Sequence, residues 1–480
     1  MMKYDVIVLG AGLGGLTAGA KLAREGKKVL VIEQHSVPGG CATNFTRGSY
    51  TLEVGLHEMN GPSPADMKTR VFNDLEVTGN VEFLKVPEFY HFTNGRHSLT
   101  IPHDPEKAME VLANEFPLET AGIQAYFDQI LNPKRKSSVP GQEKERSIGE
   151  FLDSIIGDED LKLVLLGNLG YFHDDPYSLS LTYYSVAQGS YYKGGGSFIR
   201  GGSQMLSDYL AGYIRSHGGE VLLNHLVTGL IPEGKRLAGV NFRKKTGTSS
   251  TTITAYSDEI IANMSMPGLR ELLPEEDARR ISDAIRGQRP GASLLTVYFG
   301  FKNSLKESGS RYYSTFVYDS SVRTQSDILK NNRSDFEHRS FAFVDYGQVD
   351  SRLAPEGKSV GAVCCIDYTA DWEKLSREEY GRKKEEAAQI FIRRLDNLMP
   401  GFSSCLEYYE VGTPLTVKRY TLNPEGAVYG FAQVPSKPHV NYTGIFDNLH
   451  FASAWGNLGG GYSGTILSGY LCAVSLLRKK

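Results

Sequence analysis

The segment Tyr4–Glu33, YDVIVLGAGLGGLTAGAKLAREGKKVLVIE, decides the fold of this chain. Its apolar run, which ends at Leu9, predicts a parallel strand that is buried on both faces. Gly10, Gly12 and Gly15 follow with the spacing G-x-G-x-x-G. The first glycine permits a tight turn, the second lets the backbone approach a pyrophosphate, and the third lets a helix pack closely on the strand. The spacing therefore predicts a dinucleotide-binding turn.

A helix and a second strand complete this unit. The helix is predicted from about Gly14 to Arg24, and its N-terminal N–H groups and dipole would point at the phosphate. The next strand, Val29–Ile32, leads into Glu33, whose carboxylate can accept hydrogen bonds from both ribose hydroxyls. The same carboxylate would repel a 2′-phosphate, which argues against a cofactor of the NADP type. A glycine-rich turn without a ligand is the alternative, and the complete unit disfavours it.

The bulk composition limits the class of protein. A chain of 480 residues exceeds a single ordinary core, so two lobes are expected. With a net charge of −3, the chain lacks the excess of positive charge that is typical of nucleic-acid-binding proteins. The five cysteines show no metal-ligand spacing, which fits a reducing compartment and predicts no metal site. No signal peptide or membrane-spanning run is visible, so a cytoplasmic protein is expected, with peripheral membrane contact left open.

Patterns further along the chain predict an α/β fold with a second sheet. A helix after Gly201 and a buried strand at Glu259–Ala262 could extend the first sheet. Alternating segments at 293–300, 338–346 and 358–368 predict an antiparallel sheet. The polar stretch at 132–146 is predicted to be an exposed loop.

A second turn of small residues follows Glu33. Gly39 and Gly40 would press backbone amides against the same pyrophosphate, whereas an ordinary β-turn is the alternative. EQH and GGC, at 33–35 and 39–41, are followed by Gly48 and by VGLH at 54–57. These motifs resemble the carotenoid isomerase and retinol saturase branch of the phytoene desaturase-like flavoproteins.

The resemblance continues in later parts of the chain. Gly201–Ser203, with the following helix and LLNHLVTGL at 222–230, resembles the second FAD-binding element of that family. TPLTVKRYTLNPEGAVYGF at 413–431 and SAWGNLGGGYSG at 453–464 are similar to its C-terminal blocks. The likeness is thin over roughly 80–190 and 290–400, where the identity of the substrate would be set.

By this resemblance the cofactor is FAD. Glu33 would bind the adenosine ribose, the two glycine turns the pyrophosphate, and the backbone around Val227 the adenine. A helix N-terminus after the last glycine turn would stabilise negative charge on the reduced flavin. The implied cofactor-binding residues are Gly10, Gly12, Leu13, Gly14, Gly15, Glu33, Gln34, Gly39, Gly40, Cys41, Ala42, Val227, Asn263, Trp455, Gly459, Gly460 and Gly461.

The resemblance also implies a domain organisation, and the chain departs from the family at one position. A Rossmann-type FAD-binding domain would comprise 1–75, 195–285 and 405–480, and a mixed α+β substrate-binding domain would comprise 76–194 and 286–404. Related flavoproteins usually place an acidic residue before the last glycine turn, where this chain has Ala454. One customary contact to the flavin's ribityl or phosphate region is therefore missing.

Three residues are catalytic candidates. By the family pattern His57 should lie near the isoalloxazine, where it could orient a substrate or transfer a proton, unless it is a structural histidine. Glu58 is beside it, and burial could raise its pKa so that it acts as an acid, unless it is structural. Arg200 could hold a cofactor phosphate or a substrate headgroup, with a structural ion pair as the alternative.

A tyrosine-rich segment in the middle of the chain offers a candidate substrate surface. Tyr183, Tyr184, Tyr191 and Tyr192 could line an apolar tunnel, or they could simply pack in the core.

Three functions are compatible with these features. The first is a FAD-dependent oxidoreductase acting on C–C double bonds of an apolar polyene, free or carrier-bound, by saturation, desaturation or redox-neutral isomerisation. No second dinucleotide motif is visible, so an external electron donor or acceptor would be required for a net redox reaction. The second is amine oxidation, with the tyrosines forming an aromatic cage. The third is a prenyl-lipid-binding chaperone of the Rab escort type, which the retained glycine turns and Glu33 disfavour.

Overall fold

The computed structural model describes residues 2–64, 66–133, 145–245 and 251–478. Most of the polar loop predicted at 132–146 lies outside these ranges. The strands of the described residues are β1 (Met2–Leu9), β2 (Val29–Ile32), β3 (Asn44–Arg47), β4 (Tyr50–Glu53), β5 (Met59–Asn60), β6 (Phe83–Lys85), β7 (Tyr90–Thr93), β8 (Ser98–Ile101), β9 (Gly196–Ile199), β10 (Glu220–Leu222), β11 (His225–Glu233), β12 (Arg236–Lys244), β13 (Ile253–Ala262), β14 (Ser293–Phe301), β15 (Ser314–Val317), β16 (Phe341–Asp345), β17 (Ser359–Asp367), β18 (Leu406–Gly412) and β19 (Leu449–Phe451).

The helices begin mostly at side-chain caps or glycine turns. They are α1 (Leu13–Arg24), α2 (Met67–Asp74), α3 (Pro105–Glu115), α4 (Thr120–Leu131), α5 (Ile148–Ile155), α6 (Glu159–Leu165), α7 (Leu181–Gly194), α8 (Gln204–Ser216), α9 (Met266–Arg270), α10 (Glu275–Ala284), α11 (Ile328–Asn331), α12 (Arg377–Leu398), α13 (Phe402–Cys405), α14 (Pro414–Thr421) and α15 (Gly461–Arg478). None of these helices is long and apolar enough to cross a bilayer.

The first sheet is the parallel sheet that the N-terminal unit predicts. Its order is β10-β2-β1-β13, with β19 also parallel to β13 and the hairpin β11–β12 added antiparallel. Leu9, at the end of β1, pairs with Ile32 on one side and Ala262 on the other. All three strands therefore end at the same edge, where a ligand of an α/β sheet binds. The prediction of an α/β fold with a Rossmann-type sheet is confirmed.

The second sheet has the order β18-β14-β17-β16-β15-β7-β8, and all of its pairs are antiparallel except β7 with β15. The segments predicted at 293–300, 338–346 and 358–368 correspond to β14, β16 and β17, which confirms the antiparallel sheet. β18, which was predicted in the FAD-binding domain, pairs with β14 at the edge of this second sheet. Its sequence favours a strand but carries no signal for which sheet it joins.

Two glycines let the first and last helices approach closely. An added Cβ on Gly14 of α1 would overlap the carbonyl oxygen of Ala452, and one on Gly469 of α15 would overlap the carbonyl oxygen of Gly14. The last helix of the chain therefore packs directly on the first, and the turn before it reaches the same edge of the sheet as the N-terminal glycine turn.

Candidate functional site

A cavity of about 1350 Å³ extends from the carboxyl ends of β1 and β2 to the inner face of the second sheet. One end is lined by the N-terminal glycine turn, and the other by aromatic side chains of α7, the second sheet and the 169–173 segment. Ligand pockets for drug-sized molecules span roughly 300–1,000 Å³. The cavity is therefore large enough to hold a dinucleotide and leave room for a second ligand.

The glycine turn at one end has the geometry its spacing predicts. Gly10 has φ +96°, a conformation that an L side chain rarely adopts. An added Cβ on Gly15 would overlap the carbonyl oxygen of Gly10, so only glycine permits this packing of α1 on β1. Asn263 Nδ2 donates a hydrogen bond of 3.1 Å to that same oxygen, and an added Cβ on Gly12 would lie 2.8 Å from Nδ2.

The N-terminus of α1 is left open toward the cavity. Gly12 precedes the helix and provides no side-chain cap, and the first turn carries no acidic residue. Gly39 N donates to Ala11 O at 2.7 Å, and Gly12 and Gly39 form a parallel bridge. The second glycine turn thus lies directly against the first. Backbone N–H groups without a capping side chain, next to bare glycine backbone, fit a pyrophosphate.

Glu33 is fixed at the end of β2 by backbone donors. Its Oε2 accepts from Ala11 N and its Oε1 from His35 N, both at 2.7 Å. The carboxylate is buried and lines the cavity. Each oxygen retains a lone pair, so the group is oriented and still able to accept from ribose hydroxyls.

Gln34 and Val227, for which the sequence analysis expects contacts with the cofactor, lie on the cavity wall next to Glu33. Gln34 is held on both sides, because its Nε2 donates to Tyr420 O at 3.1 Å and its Oε1 accepts from Lys245 Nζ at 2.9 Å. Val227 of β11 also lines the cavity.

The turn before α15 forms the middle of the cavity wall. Trp455, Gly460 and Gly461 line it, while Gly459 packs beneath them, where an added Cβ would lie 3.0 Å from the Tyr183 ring. Ala454 also lines the cavity and offers only a methyl group. The acidic contact of related flavoproteins is therefore absent at this position.

Cys41 and Ala42 lie between the two ends. Both line the cavity, and burial raises the pKa of the Cys41 thiol to about 11. The thiol is therefore neutral near pH 7. Leu13 lines the cavity as well, whereas Gly14 and Gly15 support the turn from behind.

His57 and Glu58 lie on the wall between the glycine turns and the aromatic end. His57 Nδ1 lies 3.3 Å from the hydroxyl of Tyr171, and burial lowers the pKa of the imidazole to about 4. His57 is therefore neutral near pH 7. Both carboxyl oxygens of Glu58 are buried and, within the described part of the chain, have no hydrogen-bond partner. Burial and the nearby Glu88 raise the pKa of Glu58 well above its usual value.

A residue that the sequence analysis missed positions this pair. Glu53 is buried, and it accepts from Ser203 N at 2.8 Å and from Ser203 Oγ at 2.7 Å. It also accepts from Gly55 N at 3.2 Å and Leu56 N at 3.1 Å. The carboxylate therefore ties the VGLH segment to the start of α8. The only hint of this role in the sequence is that an acidic residue, Glu53, ends the strand β4.

Arg200 does not join the site. Its guanidinium pairs with Glu82 at 3.2 Å and with Asp350 at 3.0 Å, and it does not line the cavity. Its predicted contact with a phosphate or headgroup in this cavity is therefore corrected to the alternative, a structural ion pair. The residue adjoins the glycine pair in sequence, but its side chain points to the neighbouring loops.

The tyrosine cluster is divided between cavity and core. Tyr183 and Tyr191 line the cavity, whereas Tyr184 and Tyr192 are packed inside the helical lobe. The Tyr184 hydroxyl lies 2.8 Å from that of Tyr126 and donates to Leu165 O at 3.0 Å. Further aromatic groups of the cavity wall are Tyr171, Phe172, Phe316 and Tyr318. No group of three or more His, Cys, Asp or Glu side chains among the described residues could hold a metal ion.

Comparison with known families identifies this architecture. The family described as "Flavin containing amine oxidoreductase" matches residues 13–477. The open helix N-terminus, the bare glycine backbone and the oriented Glu33 fit the cofactor of such proteins, which is FAD.

Curated relatives extend over nearly the whole chain. A chloroplastic prolycopene isomerase of Daucus carota is 26% identical, with 98% of this chain and 79% of that protein covered. An all-trans-retinol 13,14-reductase of Rattus norvegicus is 22% identical, with 89% and 77% covered. A solved structure of putrescine oxidase bound to putrescine has a TM-score of 0.66 at 15% identity, with both chains fully covered. The resemblance to the carotenoid isomerase and retinol saturase branch is confirmed.

Proposed function

Because the chain belongs to the flavin-containing amine oxidoreductase family, we propose that it acts on C–C double bonds of an apolar conjugated polyene. The observation that carries this proposal is the aromatic end of the cavity, which adjoins the FAD cradle and is lined by tyrosine and phenylalanine rings. The isomerase and reductase relatives are named for polyenes, namely prolycopene and retinol. A carotenoid, a retinoid and a polyene acyl chain all have the required chemistry.

The polar groups at the reacting end are suited to an uncharged substrate. His57 is neutral because burial lowers its pKa to about 4, and burial raises the pKa of Glu58, which favours its protonated form. Neutral polar groups at these two positions let a hydrocarbon bind there without stranding a charged group. The protonated Glu58 can donate a proton to a substrate carbon, while His57 and Tyr171 orient the substrate.

Bound FAD supplies hydride transfer at its N5 position. The net reaction then depends on the fate of two electrons. Saturation requires an external electron donor, desaturation requires an external acceptor, and return of the electrons to the same substrate gives cis–trans isomerisation. The protein's own contribution is to hold the polyene away from water and to move a proton at Glu58.

Amine oxidation is the second candidate, and the putrescine oxidase fold is the observation that favours it. Tyr183 and Tyr191 could form the aromatic cage that such a reaction needs. A protonated Glu58, however, offers no negative charge to attract an ammonium ion to the cavity.

Reconstitution with FAD, followed by a substrate panel, separates these functions. We expect a yellow protein that, after anaerobic photoreduction, changes the absorbance of a carotenoid, retinol or a conjugated polyene acid. A loss of conjugation indicates saturation, and a shifted spectrum with the same number of double bonds indicates isomerisation. Oxidised enzyme that lengthens the conjugated system indicates desaturation.

The same assay contains the results that would overturn the proposal. Reduction of the bound flavin by aliphatic amines, with no response to any polyene, would establish amine oxidation. A protein that remains colourless after reconstitution would refute both enzyme functions and favour a lipid-binding chaperone. His57→Ala tests the site, because a variant that binds FAD normally and keeps full turnover would remove His57 from the mechanism.

A further inference from the structure

One histidine at the aromatic end of the cavity has a ring nitrogen without a hydrogen-bond partner. His173 lines the cavity and is 7% exposed. Within the described residues, its Nε2 is buried and makes no hydrogen bond. Most buried side-chain polar atoms in proteins are hydrogen-bonded, so an unpartnered ring nitrogen in a cavity wall indicates that a ligand supplies the missing partner.

The other nitrogen of the ring is held by the loop that follows. His173 Nδ1 lies 2.9 Å from Asp174 Oδ1 and 3.1 Å from the backbone nitrogen of Asp175. Asp174 is fixed in turn, because its Oδ2 accepts from the Tyr368 hydroxyl at 2.7 Å and its backbone oxygen accepts from Asn332 Nδ2 at 2.8 Å. Since Nδ1 faces this loop, Nε2 lies on the opposite edge of the imidazole.

The loop that carries Asp174 and the VGLH segment contact opposite ends of two strands. The Tyr346 hydroxyl, directly after β16, donates to Leu56 O at 3.1 Å. Because β16 and β17 are antiparallel, Tyr368, directly after β17, lies at the other end of this pair. A substrate that reacts beside the VGLH segment can therefore place its terminus at His173.

We propose that His173 binds a hydroxyl group at the terminus of an apolar chain, so that the preferred substrate is a polyene alcohol. His173 touches the substrate away from the reacting carbons and determines binding specificity. The polyene in this inference rests on the proposed function, whereas the alcohol site itself does not.

A hydroxyl group fits both neutral forms of this ring. When Nδ1–H donates to the Asp174 carboxylate, Nε2 is an acceptor. When Nδ1 instead accepts from the N–H group of Asp175, Nε2–H is a donor. An alcohol can donate to the first form and accept from the second, whereas an ether can only accept and a hydrocarbon can do neither.

Charge disfavours a carboxylate at the same place. Burial by itself would raise the pKa of Asp174, but the hydrogen bond and charge of His173, together with the Tyr368 hydroxyl, lower it to about 2. Asp174 therefore carries a negative charge near pH 7, next to the His173 ring. A carboxylate terminus would be repelled by this charge and would lose its hydration in the aromatic wall.

Equilibrium binding of matched probes to the FAD-loaded protein tests the site. Retinol, its methyl ether and retinoate share one polyene and differ only at the terminus. The wild-type protein is expected to bind retinol at least about tenfold more tightly than either of the other two, because only the alcohol satisfies both forms of the ring without a charge. In His173→Phe, which keeps an aromatic ring in the wall, this preference is expected to fall below about threefold.

Matched variants make the result specific. His91 is another buried histidine stacked on an aromatic ring, Tyr312, and it does not line the cavity. His91→Phe is therefore expected to keep the preference for retinol. His173→Leu serves as a second variant if His173→Phe does not fold. Asp174→Asn should strengthen the binding of retinoate relative to retinol, because it removes the repelling charge.

The outcomes separate this site from the proposed reaction. Wild-type protein that binds the ether or retinoate as tightly as retinol, or a preference that neither His173 variant reduces, would overturn the site even if a polyene reacts. Retinylamine that binds more tightly than retinol would assign the site to an ammonium group instead. If no polyene reacts, but saturated dodecan-1-ol binds more tightly than its methyl ether and loses this preference in His173→Phe, the alcohol site stands and the proposed function fails.

Discussion

Replacement of Glu53 by glutamine tests whether one buried carboxylate holds the VGLH segment against α8. The wild-type Oε1 accepts from Gly55 N, Leu56 N and Ser203 Oγ, and Oε2 accepts from Ser203 N. A carboxamide can keep only one of the two acceptor atoms. In either orientation its N–H₂ group faces at least one backbone N–H group, so a donor meets a donor inside the protein.

The magnitude follows from these four hydrogen bonds. A hydrogen bond to a charged group contributes about 1.5–3 kcal/mol, and an unsatisfied buried donor costs about 1–3 kcal/mol. Part of this loss is offset, because burial raises the pKa of Glu53 and the neutral amide is easier to bury than the carboxylate. We expect a local loss of about 2–4 kcal/mol at pH 7.5. A loss of 2 kcal/mol corresponds to about a thirtyfold increase in the local opening equilibrium.

Hydrogen exchange measured by mass spectrometry on the FAD-free protein reads this opening directly. Peptides that cover 50–60 and 200–206 are expected to exchange at least about thirtyfold faster in Glu53→Gln, with peptides of α12 unchanged. Glu82→Gln is the control, since Glu82 is largely exposed and its pairing with Arg200 contributes little. Exchange of both segments within about threefold of the control would refute the assignment of Glu53 as their connection.

Three further predictions concern the cofactor turn, the helix packing and the cavity acid. Glu33→Gln is expected to weaken FAD binding about tenfold or more in a flavin fluorescence titration, because it loses a charged acceptor; an unchanged affinity would contradict the role of Glu33. Gly469→Ala is expected to reduce the free energy of unfolding by about 1–3 kcal/mol, because the added methyl group overpacks against Gly14, and so to lower the urea midpoint. Gly212→Ala, at an open helix position, should raise the midpoint slightly. Glu58 has a folded-state pKa above its unfolded value, so its stabilising contribution is present below the unfolded pKa and is lost as the pH rises through the folded pKa. Glu58→Gln should therefore become more stable relative to wild type as the pH rises, and parallel pH profiles would contradict the burial of an unpaired carboxyl.

The N-terminal unit could be predicted from the sequence because its constraints are local. Gly10, Gly15 and Glu33 lie within one strand–helix–strand segment, and each has a physical requirement that its residue type reveals. The motif at 54–57 was found by resemblance, and its residues Val54, Gly55 and His57 line the cavity.

The rest of the site could not be predicted, because it depends on pairing between distant segments. Glu53 and Ser203 are 150 positions apart, and no pattern in either segment indicates the other. Glu58 and His103 come from separate segments and face one another across Gly196, which β9 places between them. Arg200 was predicted at the site because it precedes a glycine pair in the sequence. Its side chain instead pairs with Glu82 and Asp350, because position in the sequence does not fix the direction of a side chain.

The protonation states connect the two ends of the cavity. At the dinucleotide end, the backbone donors of Ala11 and His35 hold the Glu33 carboxylate in place. At the aromatic end, burial favours the neutral forms of His57, Glu58 and Tyr183, and it raises the pKa of Tyr183 to about 12. In the proposed function, a hydrocarbon would meet neutral side chains at these three positions, and Glu58 would still supply a proton. Removal of that proton leaves a buried carboxylate beside Glu88, a costly state that favours rapid reprotonation. The unpaired burial of Glu58 that lowers the stability of the folded protein at high pH thus also makes this residue a suitable acid in the proposed reaction.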